Sequence, residues 1–169
     1  MTSIPVWLPV TISLVGTAIA LTAFGYQVWR ARFNQSIDLL FKLDGDFFGP
    51  AKKLQRAKAA IDLQNGRYSE VEPILDFFET MALLVRRGAL DKEMVWHTFY
   101  YWAEHYYAAA YPHIEARQKQ DPLVWKDLVP FMAALHTFQQ RQLVTPSLRA
   151  LTPEEIAAFL SEEKSEAIV

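Results

Sequence analysis

The chain has 169 residues, a formal net charge of −2, no cysteine, and a composition that is 51% hydrophobic. The missing cysteine excludes disulfides, thiol catalysis and cysteine-ligated metal, and five tryptophans, seven tyrosines and eleven phenylalanines exclude a disordered chain. No domain-wide basic surplus or known binding module is present, so the reading includes no nucleic-acid partner.

Residues 1–29 carry no charged side chain, and Ile4 to Val28 is apolar or nearly so. As a helix this segment would extend ~37 Å, enough to cross a ~30 Å hydrocarbon core with some tilt. The expectation is a transmembrane helix over residues 4–29, retained because no basic residue precedes it as a cleavable signal requires. Trp7 at one end and Tyr26 and Trp29 at the other suit interfacial aromatic belts. Gly16 and Ala20 have the spacing that lets two such helices approach closely. The absence of any ionisable group in the span argues against transport. Arg30, Arg32, Lys42, Lys52, Lys53, Arg56, Lys58 and Arg67 follow it and outnumber Asp38, Asp44, Asp46 and Asp62. This bias predicts a single-pass inner-membrane protein, with the amino terminus outside and the remaining domain cytoplasmic. The lipid bilayer is then an expected partner.

Everything after residue 29 reads as helix. Residues 30–67 form basic juxtamembrane helices: a continuation through Phe33, Ile37, Leu40 and Phe47, then a helix from about Ala51 to Gln64 with Leu54, Ala57 and Ile61 inward. Gly45, Gly49 and Pro50 separate the two, and Asn65-Gly66 supplies the next turn. Residues 68–146 are the bundle core. Its first helix starts near Ser69, a capping residue with Glu72 three positions on, and stops at Gly88. Asp91 caps a long helix reaching about Lys119, with Trp96, Phe99, Ala103, Tyr106, Ala110 and Ile114 as its apolar stripe and Pro112 as a bend. Asp121-Pro122 reads as a cap and first-turn proline opening another helix through Trp125, Leu128 and Met132. Residues 147–169 are an acidic helix and tail, started by Thr152-Pro153-Glu154-Glu155. The fold class is all-α: the transmembrane helix followed by a bundle of four to five helices.

The candidate chemistry is sparse. His97, His105 and His113 step by eight residues, ~80° of helix rotation each, so they share no face and make no metal site. No nucleophile elbow, phosphate loop or His-Glu-x-x-His occurs, so neither a catalytic residue nor a cofactor is assigned. Glu79 lies beside Leu75, Ala82 and Leu83, where a carboxylate needs a cation or several donors. Arg117, on the inward edge of the long helix, and Arg86 are the candidates, and Glu79–Arg117 is the expected buried ion pair. Glu104 sits between Tyr100 and Tyr107 with His97 and Tyr111 on the same side. Tyr100, Tyr107 and Tyr111 form a candidate interface, because tyrosine combines area with a polar tip.

The run ILDFFETMALLVRRGALDKEMVWHTFYYWAEHYY, then HIEARQ, then DPLVWKDL, resembles a family of uncharacterised bacterial single-span membrane proteins with a small helical domain of unknown function. The resemblance implies that architecture and supplies no catalytic residue, cofactor or substrate. Three functional readings follow. The first is a membrane-anchored helical interaction protein that binds itself or a membrane-protein partner. The second is a small-ligand receptor or enzyme using a polar cluster around Glu79, Glu104 and Arg117. The third is an oligomeric membrane effector.

Overall fold

The computed structural model describes residues 7–143 and 150–166, with side chains over 16–142 and 150–165. The described elements are α1 (Trp7–Phe47), α2 (Pro50–Gln64), α3 (Glu72–Arg86), α4 (Lys92–Gln120), α5 (Leu128–Leu143) and α6 (Pro153–Glu166), and no strand occurs among these residues. The all-α expectation holds.

The expected transmembrane helix does not. Among the described residues no helix is long and apolar enough to cross a membrane. From Arg30 onward α1 also carries Arg32, Asp38, Lys42, Asp44 and Asp46, so its second half is not apolar. Ile4 and the remaining residues before Trp7 lie outside the described residues, as does the side chain of Trp7 that was read as a belt residue.

The chain divides into two units, residues 1–38 and 39–169. In the first unit every side chain from Gly16 to Gln35 is exposed. Tyr26, Trp29 and Phe33 form a ladder along α1, with ring centroids 6.0 and 5.9 Å apart. Their three- and four-residue spacing places neighbouring rings one turn apart.

The second unit has a single aromatic-rich core. Phe47 is fully buried and meets the rings of Phe48, Phe77, Phe78, Phe99 and Trp102, so the end of α1 is tied to α3 and α4. Ile74, Leu75, Phe78, Met81 and Ala82 supply the α3 face, at the spacing of one helical stripe. Val95, Phe99, Ala103, Tyr106, Ala110 and Ile114 supply that of α4. Leu128, Met132 and Leu135 close the core from α5.

Local chemistry explains most boundaries. The Asp91 carboxylate accepts from the amides of Glu93 and Met94 at 2.9 and 3.0 Å, the cap that starts α4. Gly66 and Gly88 have φ of 68° and 69°, left-handed conformations that end α2 and α3 at little steric cost. Two starts differ from expectation. Ser69 does not cap α3; its hydroxyl donates to Asp62 Oδ2 at 2.8 Å, and α3 begins at Glu72. Asp121-Pro122 does not open a helix either. Residues 122–127 are turns, Trp125 has φ 47°, and α5 starts at Leu128.

The inward face of α2 also differs. Leu54 and Ile61 are exposed, while Arg56, Ala57, Ala59, Ala60 and Asp62 are buried. Alanines at 59 and 60 let α6 approach closely, and α6 packs chiefly on α2. Close backbone approach there outweighs burying two larger side chains.

Candidate functional site

Three polar clusters lie within the second unit. The first joins α3, α4 and the 121–127 turn. Glu79 accepts from the backbone amide of Asp127 at 3.1 and 3.2 Å and from that of Leu128 at 2.7 Å. These amides lie at the start of α5, so Glu79 caps that helix across the bundle. Burial pushes its carboxyl above the usual range, against the opposing effect of the two amides. Arg117 finds a different partner: its Nε lies 3.8 Å from Glu72, which also meets His113 Nε2 at 3.0 Å. The expected Glu79–Arg117 pair is therefore replaced by two separate contacts. Helix-terminal amides, invisible to residue spacing, satisfy the carboxylate, and Arg117 is 45% exposed at the surface rather than inward. Arg86 pairs with Asp127 at 3.0 Å.

The turn itself is held from all sides. The Trp125 indole N–H donates to Asp76 at 2.8 Å, and the Gln118 amide donates to the carbonyls of Val124 and Trp125 at 3.0 and 3.1 Å. His113 stacks on Tyr68 with centroids 4.7 Å apart and planes within 2°. These contacts fix a left-handed tryptophan, a conformation that L side chains avoid unless surroundings enforce it. The cluster is a structural joint.

The second cluster lies in the α4–α5 seam. Glu104 Oε1 is 3.7 Å from His136 Nε2, and the Tyr100 ring meets the His136 ring edge-on at 5.9 Å. Burial, with the Glu104 charge beside it, pushes the Tyr100 hydroxyl far above the usual phenol range. The imidazole of this acid–phenol–imidazole group is thus His136 of α5; His97 packs against Trp96 instead. Tyr107 and Tyr111 are ring neighbours at 5.6 Å, with Tyr111 exposed and Tyr107 half-buried. Tyr100 is buried, so the three tyrosines do not present one solvent-facing surface.

The third cluster was absent from the sequence reading. Arg56 of α2 and Glu163 of α6, both nearly inaccessible to solvent, meet at 3.3 Å. The Tyr106 hydroxyl donates to Glu163 at 2.6 Å, and the guanidinium lies over the rings of Phe47 and Phe48 at 4.7 and 5.3 Å. The available signal was the Arg56, Ala59, Ala60, Leu63 face of α2, in which the arginine shares a stripe with small residues. Nearby, Asp62 is bound by Ser69, by the Glu70 amide and by Arg67 at 2.9 Å. The Ser69 hydroxyl contributes most to holding its carboxyl below the usual range, although burial opposes it.

Among the described residues, no three side chains of the metal-ligating types converge. Compared with known proteins, residues 10–133 match the family described as Domain of unknown function (DUF4760). No curated protein and no solved structure matches. The match spans most of the chain, which therefore belongs to this family of helical domains whose function is undefined.

Proposed function

We propose that the chain is a helical interaction protein that associates with copies of itself through α1. The supporting observation is the uninterrupted exposure of residues 16–35, which include Ile19, Leu21, Phe24, Tyr26, Trp29 and Phe33. Their positions run around the helix rather than along one stripe. A helix apolar on every side demands burial, and one partner helix covers only part of its circumference. Several copies of the same helix supply apolar surface on each side without requiring a second gene product. The three polar clusters make their contacts within the bundle.

Sedimentation of the full chain tests the proposal. The expected result is a multimer across the micromolar range. The double substitution Phe24→Glu and Trp29→Glu is expected to give a monomer with unchanged far-ultraviolet circular dichroism. A wild-type chain that sediments as a monomer, or one that partitions onto lipid vesicles as single copies, would overturn it.

A further inference from the structure

One side of α1 carries two contrasting stretches. Ala18, Ile19, Thr22, Ala23 and Tyr26 line an open hollow that is almost wholly apolar. The Thr22 hydroxyl donates to the Ala18 carbonyl at 2.9 Å, so the one side-chain hydroxyl at its centre is engaged within the helix. Beyond the hollow the exposed rings of Tyr26, Trp29 and Phe33 project as a ladder. Thr22, Tyr26, Trp29 and Phe33 follow one another at three- and four-residue steps, so hollow and ladder share one side of the helix. They are also similar in length: Ala18 to Tyr26 spans ~12 Å and Tyr26 to Phe33 ~10 Å at 1.5 Å per residue. Arg30 and Arg32 accompany the ladder, whereas no charged residue accompanies the hollow.

We propose that α1 pairs with α1 of a second copy in antiparallel orientation, the ladder of each seated in the hollow of the other. This rests on the self-association proposed above and names its geometry. Bulky rings interdigitate with small side chains, whereas a parallel pair in register sets ring against ring and hollow against hollow. Charge selects the same arrangement. A parallel pair brings Arg30 and Arg32 beside their counterparts, a like-charge contact that opposes association. The antiparallel pair sets them beside the uncharged residues that precede Tyr26. A two-fold axis close to Tyr26 makes the two contacts equivalent, as an isologous interface requires. Leu21, Phe24 and Val28 lie on the other side of the helix and remain for further copies.

The chain has no cysteine, so introduced thiols report orientation. Ala20 and Asn34 are exposed, belong to neither the hollow nor the ladder, and lie ~21 Å apart along one helix. A full-length Ala20→Cys chain and a tagged full-length Asn34→Cys chain are co-expressed, purified together and treated with a short bis-maleimide. The expected product is the heterodimer joining the two variants, at a yield at least fivefold above that of either homodimer. Homodimers in equal or greater yield would overturn the antiparallel pairing and leave self-association standing. So would a sample that sediments as a multimer yet gives no covalent dimer. A sample that sediments as a monomer removes the pairing and the self-association together.

Discussion

The Glu79 carboxyl is raised above its ordinary value near 4.5 because burial outweighs the Asp127 and Leu128 amides that favour its charge. An acid with a raised folded-state pKa binds its proton more tightly when folded than when unfolded. Its ionisation therefore removes stability as pH rises from about 4.5 through the higher folded value. A Glu79→Gln chain has no such titration. The stability difference between wild type and Glu79→Gln should thus shift against the wild type as pH climbs through that interval, read by urea unfolding at successive pH values. A difference that stays constant, or moves the other way, would show that the amides hold the carboxylate fully charged. The position of Glu79 among apolar neighbours was legible in the sequence, but its partner was not. Backbone amides at a helix start have no residue signature, and the start of α5 itself depends on a left-handed Trp125 that no local propensity favours.

At the scale of the elements, boundaries set by side-chain caps and left-handed glycines were legible, as Asp91, Gly66, Gly88 and the Thr152–Glu155 pair show. Boundaries set by tertiary contact were not. Ser69 has the sequence environment of a cap, yet Asp62 recruits its hydroxyl from the preceding helix. The inward face of α2 was misassigned for a similar reason: periodicity favoured Leu54 and Ile61, and the close fit of α6 selected the alanine side. The Asp91 cap gives a direct check on a local boundary. Asp91→Ala should lower stability by about 1 kcal/mol, because two amides at the start of α4 lose their acceptor. Asp91→Asn and Asp91→Ser should restore much of the loss in the same urea titration. No loss in Asp91→Ala would mean that solvent replaces the carboxylate at this end of the helix. Gly49 sets another boundary by crowding, since a Cβ there would lie 2.9 Å from the Gly45 carbonyl oxygen.

Across the whole molecule, hydrophobic pattern sufficed for an all-helical bundle, while the pairing that ties α6 to it came from a charge that periodicity assigns to the surface. Arg56 and Glu163 are far apart in sequence and both nearly inaccessible, so each contributes to compensating the other's buried charge. Removing one member is predicted to be more damaging than removing both. Glu163→Gln should destabilise the chain by about 3 to 5 kcal/mol, since a buried charge contact is lost while the Arg56 guanidinium stays over Phe47 and Phe48. Arg56→Met combined with Glu163→Leu should recover most of that loss, because two desolvated charges give way to apolar packing. The Tyr106 hydroxyl loses its carboxylate acceptor in the double variant but retains the Arg56 carbonyl at 3.3 Å, which keeps its desolvation partly compensated. Chemical denaturation of the two variants against wild type measures both quantities. A double variant as unstable as Glu163→Gln would assign the stability of the α2–α6 contact to the charges themselves. Recovery in the double variant would instead assign it to the apolar packing of α6 on α2.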